Sequence, residues 1–192
     1  VVSSNLAISF AQTGARTLLM DTDLRRGRLH RLFGYRKSPG LSNVLMGECT
    51  LEDALRPTVH GNLTVLSAGK HLDTGTELLG SARFTEIMQE LRTRFDRIVM
   101  DTPPVLGLSD TSVMQTQVDG VLFVIWSAHT SIRTMKTAIE MLQSNNANFY
   151  SYQDHAQHWT HFSPDNVRTD VWYSTSANIN MPPWSLQQAR WE

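Results

Sequence analysis

Short, unbroken apolar runs that each end in an aspartate constrain this chain more than any other feature. Leu18-Leu19-Met20 leads into Asp21-Thr22-Asp23, and Ile98-Val99-Met100 leads into Asp101, just before Pro103-Pro104. A strand without polar alternation is buried on both faces, which is the habit of parallel sheets flanked by helices. Helix-like segments separate these runs. Val2, Leu6 and Phe10 recur every four residues up to Gly14, so about 1–13 reads as a helix. Leu29 to Phe33 and Leu41 to Met46 read as short helices, and Leu63 to Leu66 as a strand. From Arg83 to Phe95 the apolar side chains Phe84, Ile87, Met88 and Leu91 fall on one helical face. A helix is expected over Ser109 to Thr116, and the most hydrophobic strand over Val121 to Trp126. Ile132, Met135, Ile139 and Leu142 then make a last amphipathic helix. The alternation predicts an α/β fold with a mainly parallel, doubly wound sheet. Ligands of such sheets sit beyond the carboxyl ends of the strands.

Apolar residues are unevenly spread. Residues 1–150 hold 37 Leu, Ile and Val, whereas 151–192 hold four, together with four of the five tryptophans. Neither a helical nor a strand period is found in the second stretch. The expected organisation is therefore one folded unit over 1–150 and an atypical tail over 151–192, disordered or unrelated to the body, that exchanges its amides quickly. Seventeen Lys and Arg against 18 Asp and Glu leave a net charge of -1, so no global basic field argues for nucleic acid. Cys49 is the sole cysteine, which excludes an intramolecular disulfide framework. The apolar runs are too short to span a membrane. The chain opens on Val1-Val2 rather than Met, and further sequence is expected before it.

In a parallel sheet both acidic strand ends point the same way, so Asp21, Asp23 and Asp101 can converge in one crevice. Clustered carboxylate oxygens suit Mg2+, which takes a few carboxylates and completes its shell with water and phosphate oxygens. Aspartate is also simply a good residue with which to leave a strand, and that reading stands beside the first for either run alone. The pair is more specific. A second cluster follows at once: Arg25, Arg26, Arg28, Arg31, Arg36 and Lys37 place six basic residues in thirteen positions with no acid among them. Such a run is either a solvated face or a patch for an acidic partner or phosphate. Arg25 lies nearest the acidic strand end, and Arg28 and Arg31, three apart, would share a helix face.

The stretch LLMDTDLRRGRLHRLFG resembles the second Walker motif of bacterial tyrosine kinases, the cytoplasmic kinase domains of capsule and exopolysaccharide assembly. RIVMDTPPVLGLSD resembles their Walker B strand and its loop, and GLSNVLMGE, TELLGSARF and VDGVLFVIW follow the family's order. VVSSNLAISFAQTGAR resembles the helix that follows the family's phosphate-binding loop. The resemblance covers residues 1 to about 150 and implies a P-loop NTPase fold related to partitioning and division-site ATPases. It implies ATP and Mg2+ as cofactors, and transfer of the ATP γ-phosphoryl group to tyrosine. Asp21 would activate the attacking hydroxyl or help hold the metal, Asp23 would bind Mg2+, and Asp101 would hold it through water. Arg25, Arg28 and Arg31 become candidate partner or phosphate contacts, and Tyr150 and Tyr152 candidate phosphotyrosines. The implied setting is a homo-oligomer at the inner face of the cell membrane, served by a transmembrane activator or chain-length-determinant domain, fused or separate.

The departures are as informative. No Gly-x-x-x-x-Gly-Lys-Ser/Thr occurs in the chain, so the backbone cradle, the lysine charge and the metal-binding hydroxyl of a Walker A loop are not among these residues. The family's preceding strand is central in its sheet, and without it two inner edges are expected to be unpaired. The chain is therefore expected to be an inactive fragment of a kinase domain. A regulatory ATPase of the same superfamily, or a non-catalytic interaction remnant, are the alternatives.

Overall fold

The computed structural model describes residues 2–73, 75–106, 114, 117–124, 130–144 and 171–175. Six strands form one sheet: β1 (Thr17–Asp21), β2 (Leu55–Pro57), β3 (Leu63–Leu66), β4 (Arg97–Asp101), β5 (Gly120–Leu122) and β6 (Val171–Thr175), in the order β2-β3-β1-β4-β6-β5. β1 lies between β3 and β4 and is parallel to both. β2 runs antiparallel to β3 at one edge. β6 is antiparallel to both β4 and β5, so β5 points the same way as β4. Four of the six described strands share a direction, and the sheet is mixed but mostly parallel, as the apolar runs predict.

Those runs are apolar throughout because both faces of the sheet are covered. Leu18, Met20, Ile98 and Met100 join Phe84, Met88 and Leu91 of helix α6 (Ala82–Arg94) in one buried cluster. Leu19, Val99, Leu63 and Val65 join Ala7 and Ala11 of helix α1 (Val2–Gln12) in the other. Each such Leu, Val or Met contributes about 1.5–3 kcal/mol on burial, and a polar residue at any of these positions would forfeit that gain and strand a polar group. α1 ends where expected, at Gly14, whose φ of 92° is open to glycine at no steric cost. At the amino end of the sheet Asp96 ties β4 to the start of β1: its carboxylate accepts from the Arg16 amide at 2.9 Å and from Arg16 Nη2 at 2.6 Å.

The short helices α2 (Leu29–Leu32) and α3 (Leu41–Leu45) appear where the sequence places them. α3 is seated on the chain leaving β3, with the Leu41 and Ser42 amides donating to the Ser67 and Ala68 carbonyls at 2.8 and 3.0 Å. Helices α4 (Leu51–Ala54) and α5 (Gly75–Leu79) and strand β2 were not expected, although Thr50 and Asp53 form a reciprocal cap at the start of α4. Helix α7 (Ile132–Ser144) matches the last amphipathic segment. The strand expected over Val121 to Trp126 is shorter: β5 ends at Leu122, and residues 125–126 lie outside the described residues. The helix expected over Ser109 to Thr116 also lies outside them, save for Met114, which is buried. No helix among the described residues is long and apolar enough to cross a membrane.

One segment of the tail is among the described residues. No strand is expected over 151–192, yet residues 171–175 form β6 and pair along the full length of β4, from Arg97↔Thr175 to Asp101↔Val171. The same strand pairs Gly120↔Tyr173 through Leu122↔Val171 on β5. The two inner edges expected to stand open are thereby joined. The physical reason is the demand of buried backbone donors and acceptors for partners, which a run of β-formers meets even inside a polar segment.

Candidate active site

β1 and β4 leave the sheet side by side. Their parallel register pairs Asp21 with Asp101, so the two carboxylate-bearing residues stand opposite one another at the carboxyl ends of adjacent strands. Thr22 extends the pairing one step further, its amide and its hydroxyl both donating to the Asp101 carbonyl at 2.8 Å. Asp21 is buried and Asp101 is half-buried.

The chain then folds back over Asp21. Asp21 Oδ1 accepts from the Asp23 amide at 3.2 Å, and Oδ2 accepts from the Leu29 amide at 3.1 Å. Asp23 organises the turn: its Oδ1 accepts from the amides of Arg25 and Arg26 at 3.2 and 2.8 Å, and its carbonyl accepts from Gly27 at 2.7 Å. Gly27 closes the turn against the site. A Cβ there would lie 2.5 Å from Asp21 Oδ2 and 2.6 Å from Oδ1, closer than real Cβ contacts. Sequence reasoning missed this residue, and a glycine set inside a basic run is the signal that could have found it.

Burial and charge act on Asp21 together. Loss of water raises its pKa most, the neighbouring Asp101 carboxylate raises it further, and the Leu29 amide opposes them, leaving the group at about 7. A buried carboxylate beside a second one, with a third two residues away, is a donor set that lacks positive charge. It fits a hard cation. No group of three or more His, Cys, Asp or Glu among the described residues is arranged to hold a metal unaided. The structure thus brings Asp21 and Asp101 together but does not gather all three expected carboxylates into one metal-binding group.

The basic residues gather beside this site. Arg25, Arg26, Arg28, Arg31 and Lys37 line a cavity of about 340 Å3, with Gly27 and His30 in its wall. Arg28 is the N-cap of α2 and Arg31 its third residue; both are exposed and both line this cavity. Arg25 is half-buried and its Nη2 reaches Thr76 Oγ1 at 3.4 Å. Arg26, Lys37 and His30 were not singled out as site residues by the sequence. Tyr150 and Tyr152 lie outside the described residues.

Known proteins resemble this chain in sequence and in fold. The family model described as AAA domain matches residues 1–151. The tyrosine-protein kinase ptk of Acinetobacter johnsonii is 40% identical over 124 residues, which is 65% of this chain and 17% of that protein. The putative tyrosine-protein kinase CapB of Staphylococcus aureus is 34% identical over 142 residues, 74% of this chain and 62% of its own length. The crystal structure of the VpsO kinase domain superposes with a TM-score of 0.72 at 37% identity, covering 77% of this chain and 72% of that one. The chain thus spans less than two thirds of either curated relative.

Proposed function

This chain belongs to the AAA domain family, and from that premise we propose that it is part of an ATP-dependent protein-tyrosine kinase serving capsule or exopolysaccharide assembly. The observation that carries the reading is the parallel register that sets Asp21 against Asp101, with Asp23 bent back beside them. The kinase relatives and the kinase-domain superposition support the same choice.

Asp21 serves as proton acceptor for the attacking tyrosine hydroxyl. A pKa of about 7 leaves it able both to take a proton and to release it near neutral pH, which is what general-base work requires. Its two backbone hydrogen bonds fix the carboxylate without consuming it, since each oxygen has a second lone pair. Asp23 and Asp101 are the residues that would hold Mg2+, and the ion, bound with ATP, would supply charge neutralisation at the phosphate oxygens. Gly27 lies against the Asp21 carboxylate, where a Cβ would not fit. Catalysis then rests on positioning and charge, with no covalent bond between protein and phosphate.

The complete protein is read as a homo-oligomer at the inner face of the membrane, with a transmembrane activator fused or separate. Residues 1–150 form its kinase part, and Tyr150 and Tyr152 are candidate acceptors. The test is phosphoryl transfer from labelled ATP to tyrosine by a chain extended before Val1 with a strand and a Gly-rich Lys-Thr loop. Asp101→Asn should slow transfer about 100-fold, on the order of 3 kcal/mol of lost transition-state stabilisation, with the circular dichroism spectrum unchanged. An unaltered rate would remove Asp101 from the reaction.

A further inference from the structure

A second cavity, also of about 340 Å3, opens where the first turns of α1 meet the end of α2 and the turn between β2 and β3. The transfer reaction uses none of its wall, and no Lys, Arg, Asp or Glu lines it. Four large apolar side chains are exposed among the described residues, and two of them, Leu32 at 57% and Val59 at 96%, stand in this one wall. Apolar side chains gathered at one exposed place mark an interaction site. Phe33 and Tyr35 add aromatic surface, and the Tyr35 hydroxyl donates to the Pro57 carbonyl, which braces the wall before any partner arrives. Ser4 is an independent mark. It is 6% exposed, and its Oγ is buried in the same wall without a hydrogen-bond partner among the described residues. A buried hydroxyl left unpaired costs free energy that a polar atom of a partner would recover.

Charge narrows the partner. The wall residues belong to the stretches 1–20, 24–47 and 54–72, and none of these contains an Asp or Glu. Arg31 and Arg36 flank the wall segment 32–35; both are exposed, and neither has an ion-pair partner among the described residues. A neutral anchor in the cavity with carboxylates beside it meets this surface favourably, and a cationic segment does not. The anchor itself must be apolar over its body and polar at its tip. Leu or Phe would cover the wall and leave Ser4 unpaired. Indole covers more of the wall than a phenol, and its single N–H can donate to the hydroxyl oxygen. Tryptophan is also a frequent anchor where binding energy concentrates. We propose that this cavity docks a tryptophan of an acidic protein segment, with the indole N–H on Ser4 Oγ. An anionic membrane would meet the exposed rim but not the buried hydroxyl. The docking goes beyond the kinase reading and does not depend on it.

The experiment titrates the 192-residue chain, without ATP or Mg2+, with the blocked peptide Glu-Glu-Trp-Glu-Glu by calorimetry at low salt. Saturable binding is expected. Alanine in place of the tryptophan should weaken it at least ten-fold, and the Lys-flanked tryptophan peptide should give no heat. A 1-naphthylalanine peptide, which keeps two rings and lacks the N–H, should bind several-fold more weakly. Ser4→Ala should erase that last difference, which a merely structural serine would leave in place. Val59→Asp and Leu32→Asp, both at exposed positions, should each weaken the tryptophan peptide at least ten-fold with the melting temperature unaltered. Ile132→Asp, which removes an exposed apolar side chain from α7 instead, should leave binding unchanged. Equal affinity for the tryptophan and alanine peptides overturns the proposal. So does binding that survives Val59→Asp and is lost in Arg28→Glu with Arg31→Glu, since the peptide then sits on the basic cavity. Binding to phosphatidylglycerol vesicles that Val59→Asp abolishes, with no peptide binding, assigns the face to a membrane and overturns it as well. Peptide binding alongside a failed Asp101→Asn test upholds the docking and discards the kinase reading, and the converse result does the reverse.

Discussion

At Asp21 two backbone amides pull the proton affinity down while burial and the Asp101 carboxylate push it up, and burial decides the outcome. The group moves from an ordinary value of 3.8 to about 7. The folded chain therefore keeps a proton that the unfolded chain has already lost. Stability must then fall as pH rises from about 4 to about 7 and level off above, on the order of 4 kcal/mol for this group alone. In metal-free buffer, urea unfolding across that range should show the slope, and Asp21→Asn should flatten it. The variant gives up one of the two amide acceptors, at about 1 kcal/mol, so the change in slope is the diagnostic rather than stability at one pH. Parallel slopes for the two proteins would show that Asp21 is not the buried acid. The acidic residues were legible because each closes an apolar run. Gly27 was not, because its closeness to Asp21 exists only after Asp23 has turned the chain back through its carbonyl and carboxylate.

Elements made of one kind of residue were readable, and those held by their neighbours were not. β1, β3 and β4 follow from apolar runs, and α1 and α6 from a helical period. α4 has only four residues and rests on the Thr50–Asp53 cap, a local signal too short for periodicity to register. β6 is the instructive failure. Val171-Trp172-Tyr173 is rich in strand formers, but the polar residues around it mask the signal, and only β4 and β5 supply a reason to pair. All five of its residues pair with β4 and three of them also pair with β5. Hydrogen exchange should therefore find the Val171–Thr175 amides slower than those of the edge strand β2. Deleting residues 171–175 should cost a few kcal/mol, since each net backbone hydrogen bond is worth about 1 kcal/mol. Exchange at the rate of a free peptide would return this segment to an uncoupled tail.

The molecule as a whole is electrically lopsided behind its net charge of -1. Asp21 and Asp101 stand opposite one another at the strand ends, and Arg25, Arg26, Arg28, Arg31 and Lys37 gather on the neighbouring turn. No Gly-rich Lys loop lies among the 192 residues to offset the carboxylates, so ATP–Mg should bind this chain weakly, with a Kd above about 1 mM, near -4 kcal/mol or less. Calorimetry showing micromolar binding would mean that another part of the chain cradles phosphate. The sheet also carries a schedule. β5 meets the described strands only through β6, and about fifty residues separate the two along the chain. At roughly 5–20 residues per second, a ribosome would take about 2 to 10 s to deliver β6 after β5 has been made. Throughout that interval the growing chain displays an apolar strand edge beside the acidic centre, and it is in those seconds that chaperones would find it.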